Sequence, residues 1–418
     1  MDKLVIEGGH ALNGEIRVKG AKNAALPIMA AALLTSDECF LENVPHIEDV
    51  EVMLDVLQRL GVRSHWEGAN TLGLQADGVT SHQIDPELAS KFRASFLVAG
   101  PMLARFGEAQ APHPGGCSIG TRPVSVDLRG FQNMGADVQR ENGNYVMRAG
   151  RLQGERFTLD YPSHTGTENL LMAACLAEGT TTIENASVEP EVVDLANCLN
   201  AMGACIMGAG TGIIQIEGVN RLHGVSYRVM PDRLEAATYA LAAIVTGGQV
   251  VLRERLSQYL GALTSKFIEA GAVVQAEKEL YSANRGAGLS AVDIRTFPYP
   301  GFPTDCQAPF ATLMTQAKGE SFIHETMYDG RLAYTGELHK MGAHVRVQGQ
   351  TAVIQGPTPL QGTSVRALDI RSGAAVVLAG LVAEGITEIS DVYYIDRGYE
   401  SIEARLASLG AVIKRVQA

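Results

Sequence analysis

Apolar residues along this chain recur in a fixed sequence of patterns. A dense run of small apolar residues, such as Ala24-Ala25-Leu26-Pro27-Ile28-Met29-Ala30-Ala31-Ala32-Leu33-Leu34, predicts a buried helix. In the clearest copies a Gly turn and a β-branched strand follow, as in Glu178-Gly179-Thr180-Thr181-Thr182-Ile183-Glu184. A second helix comes next, with Val192, Leu195, Ala196 and Leu199 at helical spacing. Gly203 ends that helix as a C-cap, and another strand follows. The pattern is a βαβαββ-type unit. No GxGxxG opens any of the helices, so it is not a Rossmann unit.

The phrase that closes the second helix appears six times. It reads Leu60-Gly61-Val62, Met134-Gly135-Ala136, Met202-Gly203-Ala204, Ala270-Gly271-Ala272, Met341-Gly342-Ala343 and Leu409-Gly410-Ala411. A recurrence roughly every 70 residues marks a repeated supersecondary unit. Six units make two domains of three, expected at 22–229 and at 1–21 with 230–418. The joints fall near Lys19-Gly20-Ala21 and Arg228-Val229-Met230, and the strands within Leu4 to Val18 should pair with the C-terminal half. Two domains on short linkers suggest a hinge with a site in the cleft between them.

Charges have preferred places in the repeat. Lys22, His164, Asp232 and Arg371 occupy the same position relative to their glycines, the start of the first helix. Arg122 and Arg397 coincide at the loop entering the second helix, with Arg331 close to the same point. Helix N-termini present free N–H groups and a positive dipole end, which suits phosphate and carboxylate. Any one of these cations could be a solvated helix-end residue; the set points to a multiply charged anionic ligand.

Composition narrows the classes. The 418 residues are 46% hydrophobic and 19% charged, as expected of a folded protein of about two domains. A net charge of −12 argues against nucleic acid or an anionic membrane as partner. Neither a signal peptide nor an apolar run of about 20 residues is visible, so a cytoplasmic protein is expected. The cysteines at 39, 117, 175, 198, 205 and 306 show no zinc-type pairing, so reduced thiols are expected and neither metal nor cofactor.

Six motifs carry a resemblance. They are Gly20-Ala21-Lys22-Asn23-Ala24-Ala25-Leu26-Pro27, Pro114-Gly115-Gly116-Cys117-Ser118-Ile119-Gly120-Thr121-Arg122-Pro123, Pro231-Asp232-Arg233, Pro298-Tyr299-Pro300-Gly301-Phe302-Pro303-Thr304-Asp305, Arg371-Ser372-Gly373-Ala374-Ala375 and Ile395-Asp396-Arg397-Gly398-Tyr399-Glu400. In these the chain resembles the UDP-N-acetylglucosamine 1-carboxyvinyltransferases, across its whole length. The resemblance implies an α/β fold, the two-domain inverted α/β barrel of the EPSP-synthase-like type, with three repeats per domain. It also implies transfer of the enolpyruvyl group of phosphoenolpyruvate to a sugar 3′-hydroxyl, with release of phosphate.

The resemblance implies the following roles. Cys117, after two glycines in a loop able to close over a ligand, would protonate the donor, its thiol pKa lowered by Arg122. Its thiolate would also be the group alkylated by fosfomycin. A small buried hydrophobe is the other reading of a cysteine, and it suits Cys39, Cys175, Cys198, Cys205 and Cys306. Asp305 would take the sugar proton, although an aspartate at a helix entrance is also a common N-cap. Lys22, Arg122 and Arg397 would hold phosphate, and Arg331 and Arg371 the donor carboxylate. The acceptor would meet Asn23, Arg93, Pro123, Val124, Ser125, Val126, Ser163, His164, Gly166, Thr304, Asp305, Met327 and Tyr328. Arg93 could instead form a structural ion pair.

Departures gather at the nucleotide end. Ser125-Val126-Asp127 stands where the family usually reads Asp-Leu-His, and the segment Tyr161-Pro162-Ser163-His164-Thr165-Gly166-Thr167 differs from Ser-Val-Gly-Ala-Thr. Gly330 and Tyr334 replace a usual Asn and His. A related transferase acting on another acceptor such as UMP is therefore the alternative. The Ser-Lys-Ser start of the shikimate-pathway branch is absent, Ala21-Lys22-Asn23 standing in its place. A non-catalytic ring of repeats, such as a sliding clamp, would spread basic residues evenly rather than gather a few beside a Cys and an Asp.

Overall fold

The structure is a computed structural model that describes residues 2–115 and 124–417. It forms two compact units. One is built from the described residues of Met1–Lys19 and Pro231–Ala418, the other from those of Gly20–Cys117 and Arg122–Met230.

Among the described residues the first unit holds three four-stranded sheets. One orders Ser364–Arg366, Ile386–Ser390, Asp2–Glu7 and Val412–Gln417; the next Val273–Ala276, Leu280–Asn284, Gln249–Arg253 and Asn13–Arg17; the third Ile294–Arg295, Gly319–His324, Thr351–Gly356 and His344–Gln348. Each has one parallel pair, with the other pairs antiparallel. The parallel pair needs a crossover, and a helix supplies it wherever both strands belong to one repeat. The N-terminal strands complete two of these sheets, Leu4 lying opposite Ile389 and Ile16 opposite Leu252. The second unit repeats the plan. Its third sheet has three strands, and a parallel bridge between Gln83 and Gln110 marks the fourth position.

The first helix of each repeat is apolar nearly all round and lies inside, the expected place for such a helix. In the first unit these are Arg233–Thr246, Thr304–Thr315 and Ile370–Val382, with Ala240, Ala311 and Ala375 fully buried. Small side chains let the helices approach, and Thr312 Oγ1 donates to the Ala375 carbonyl at 3.0 Å. In the second unit Lys22–Ala31, Ala99–Phe106 and His164–Ala174 take the same part. The second helices are two-faced. Glu48–Leu60 buries Val50, Met53, Leu57 and Leu60 and places Glu48, Asp49 and Glu51 in its first turn, where the helix dipole favours negative charge.

The six repeat glycines all adopt left-handed backbone, with φ from 88° at Gly135 to 107° at Gly61. That conformation closes the second helix and turns the chain into the next strand; a side chain there would meet its own carbonyl. Among the described residues, no helix is long and apolar enough to cross a membrane, and no group of three or more His, Cys, Asp or Glu is placed to hold a metal ion.

Candidate active site

In the first unit three of the expected residues converge. The loop around Phe302-Pro303 leads into the helix Thr304–Thr315, and Asp305 lies inside its first turn. Pro303 holds the N-cap position without a side-chain bond, so Asp305 is not the N-cap. Its side chain turns instead to two arginines. Arg331 Nη2 donates to Oδ1 at 2.5 Å, and Arg371 Nη2 donates to Oδ2 at 3.2 Å. Both guanidinium groups are almost wholly buried, whereas the carboxylate is 25% exposed. Burial pulls the arginine pKa values down, but the Asp305 charge outweighs it and both remain cationic.

Each arginine has its own support. Arg371 lies inside the capping box of Asp369 and Ser372, and its Nη1 donates to the Tyr399 hydroxyl at 3.2 Å. Thr238 Oγ1 lies 2.9 Å from the same hydroxyl. The Arg331 carbonyl accepts from Gln307 Nε2 at 3.2 Å, and Gln307 Oε1 accepts from Tyr334 at 2.8 Å. Tyr334, one of the sequence departures, thus has a structural task beneath Arg331. Arg397 follows the short helix Tyr393–Asp396 and is half-buried. Arg415 grips the adjacent Asp396 in a bidentate pair at 2.7 and 2.9 Å.

Thr304, Met327 and Tyr328 also meet in this unit, through a residue the sequence did not single out. The buried Glu325 accepts from Thr304 Oγ1 at 2.7 Å and from the backbone N–H groups of Met327 and Tyr328 at 2.6 and 3.2 Å.

In the second unit Lys22 and Asn23 open the helix Lys22–Ala31, and Lys22 Nζ lies 2.5 Å from the buried Asp49 carboxylate. Val124 caps the helix Ser125–Asn133, in which Ser125 and Val126 form the first turn. Asp127 of that turn is buried and accepts from Asn169 Nδ2 at 2.9 Å. Burial raises its pKa, against the Asn169 bond and the Arg93 charge. A small crevice, with room for about 10 Å³, is lined by Arg93, Phe96, Leu97, Val124, Asp127, Thr165 and Asn169.

Ser163 caps the helix His164–Ala174 by accepting from the Gly166 N–H at 3.1 Å. His164 Nε2 lies 3.0 Å from Oε1 of the buried Glu168 and is 26% exposed, a paired group rather than a loose surface histidine. Burial pushes its pKa down, but Glu168, with Glu189 and Glu191 behind it, raises it to about 9.

Cys117, Arg122 and Pro123 lie outside the described residues. Among the other cysteines, burial pushes the thiols of Cys39, Cys175 and Cys306 up to about 11, 12 and 12, and that of Cys198 up as well. Such thiols are protonated and inert at neutral pH. Asp49, Asn169, Glu168 and Glu325 are the site neighbours that sequence reasoning missed. An acidic first turn after Lys22's helix was the signal available for Asp49. For Glu325 there was none, since its partners come from three segments.

The arrangement can neutralise a carboxylate with two buried guanidinium groups and present a carboxylate base beside them. The family model described as EPSP synthase (3-phosphoshikimate 1-carboxyvinyltransferase) matches residues 6–406, and the chain belongs to this family of carboxyvinyl transferases. It is 46% identical to UDP-N-acetylglucosamine 1-carboxyvinyltransferase 1 of Caldanaerobacter subterraneus subsp. tengcongensis, over 99% of each chain. It is 47% identical to UDP-N-acetylglucosamine 1-carboxyvinyltransferase 2 of Carboxydothermus hydrogenoformans, over the whole of both chains. Among solved structures, the enolpyruvyl transferase NikO from Streptomyces tendae superposes with a TM-score of 0.90 at 24% identity, covering 100% of this chain and 99% of that one. EPSP synthase from Acinetobacter baumannii gives 0.77 at 18%, covering all of both chains. At these identities the structural likeness speaks for the shared fold.

Proposed function

We propose that this protein transfers the enolpyruvyl group of phosphoenolpyruvate to the 3′-hydroxyl of UDP-N-acetylglucosamine, releasing phosphate. The observation that carries the reading is the carboxylate of Asp305 at a helix start, shared by the buried Arg331 and Arg371. The full-length likeness to curated relatives of that name supports the nucleotide-sugar acceptor over UMP.

In this reading the Cys117 thiol gives its proton to the methylene carbon of the donor. The sugar oxygen bonds to the adjacent carbon, and its proton passes to Asp305. Arg331 and Arg371 hold the donor carboxylate in bidentate fashion, and Lys22, Arg122 and Arg397 neutralise the phosphate. The tetrahedral intermediate then returns a proton from its methyl group to the Cys117 thiolate, its carbon–oxygen bond to phosphate breaks as the departing phosphate takes the proton held by Asp305, and the enolpyruvyl ether remains. Asn23, Ser163, His164 and the segment at Met327 and Tyr328 serve the acceptor. The wider assignment is the first committed step of peptidoglycan biosynthesis, in the cytoplasm, with consequences for cell shape and division and with fosfomycin as an alkylating inhibitor.

The test mixes purified protein and phosphoenolpyruvate with UDP-N-acetylglucosamine, UMP or shikimate, following phosphate release and product mass. Rapid release with UDP-N-acetylglucosamine alone, yielding the enolpyruvyl ether, is the expected result. Release only with another acceptor would overturn the acceptor assignment while keeping the donor chemistry.

A further inference from the structure

We infer that Glu325 is a positioning residue for the acceptor side of the site, an assignment that rests on the function proposed above. Glu325 follows the strand Gly319–His324 and is fully buried. Its Oε1 accepts from Thr296 Oγ1 at 3.0 Å, Met327 N at 2.6 Å and Tyr328 N at 3.2 Å, and its Oε2 accepts from Thr304 Oγ1 at 2.7 Å. Thr296 tightens the clasp, its Oγ1 accepting from Thr326 N at 2.9 Å and its carbonyl from Thr326 Oγ1 at 2.5 Å. One carboxylate therefore ties the backbone at Met327 and Tyr328 to Thr304, the chain neighbour of Asp305.

A carboxylate can accept from about four directions at once, which no neutral side chain matches. Burying it is costly unless those directions are filled, and an apolar filler often serves stability equally well. What the carboxylate contributes here is a fixed distance between the acceptor-facing segment and the base. Arg331 has separate anchors in Gln307 and Asp305. Loosening Glu325 should thus disturb the acceptor and its hydroxyl while sparing the donor carboxylate.

The experiment compares wild type, Glu325→Ala, Glu325→Gln and Thr296→Val by steady-state kinetics and by amide hydrogen exchange in the ligand-free protein. Displacement of the acceptor by about 1 Å should lower kcat of Glu325→Ala about 100-fold. Its KM for UDP-N-acetylglucosamine should rise roughly tenfold and its KM for phosphoenolpyruvate should stay level. The Met327 and Tyr328 amides should exchange faster. Glu325→Gln should restore part of both, because its amide oxygen has two lone pairs for the Met327 and Tyr328 amides while its NH2 donates to Thr304 Oγ1. Thr296→Val, fully buried and isosteric, should show the same split more weakly, and it serves if Glu325→Ala does not fold. Unchanged amide exchange, or equal changes in both KM values, would overturn the positioning role. Failure of wild type to use UDP-N-acetylglucosamine would reject the proposed function, and the exchange data would still decide whether Glu325 holds this segment.

Discussion

Arg331 Nη2 lies 2.5 Å from Asp305 Oδ1, and the carboxylate so held is itself the proposed base. With Arg371 on its second oxygen, Asp305 has a fixed orientation set by two buried cations. A donor carboxylate entering the guanidinium forks would take over those bonds and leave the Asp305 oxygens to the sugar hydroxyl. Donor binding and base readiness are then one event.

Asp305→Asn keeps the shape and removes the base. Turnover should fall by about 10²–10⁴-fold, the usual contribution of general-base catalysis. One guanidinium would also face an amide N–H, costing about 1–3 kcal/mol of stability. Phosphate release and denaturant unfolding measure the two effects separately. Turnover within a few-fold of wild type would remove Asp305 from the chemistry.

Cys117→Asp keeps a proton donor and removes the thiol. The variant should gain no mass on incubation with fosfomycin, whereas wild type should gain one adduct. An adduct persisting in the variant would place the nucleophile elsewhere.

His164 should stay an imidazolium well above neutral pH. Its folded pKa of about 9 lies above its ordinary value, so its contribution to stability is fully present below about 6.5 and is lost as pH rises through 9. The imidazole NMR signal that disappears in His164→Gln should titrate with a midpoint near 9. A midpoint near 6.5 would show that Glu168, Glu189 and Glu191 do not hold the charge.

Gly100 marks a close helix contact. A Cβ there would lie 2.3 Å from the Asn169 carbonyl oxygen and 2.5 Å from its Oδ1, the atom that accepts the Gly100 N–H. Gly100→Ala should destabilise the protein by about 1–3 kcal/mol, as overpacking does. Because Asn169 also bonds Asp127, acceptor affinity should fall with it. Thermal unfolding and the KM for the acceptor together check this.

Much of the fold was legible because its signals are local. Buried helices announce themselves by small apolar runs, and Gly61, Gly135, Gly203, Gly271, Gly342 and Gly410 mark helix ends that need positive φ. The candidate site was only half legible. Lys22, Arg331 and Arg371 were singled out by type and by place in the repeat, and Asp305 by the resemblance of its motif. Their partners were not: Asp49 beneath Lys22 and the buried Glu325 were not singled out at all.

The sequence by itself determined the repeat, the helix entrances and the residue types available for anion chemistry. Each depends on backbone propensity and periodicity within a few tens of residues. Only the tertiary structure decided which charge meets which. Asp305 finds Arg331 across 26 residues and Arg371 across 66, and Glu325 gathers donors from three segments. Buried charges and hydrogen bonds are chosen by packing that closes distant parts of the chain around a low-dielectric interior, and no local spacing encodes that choice.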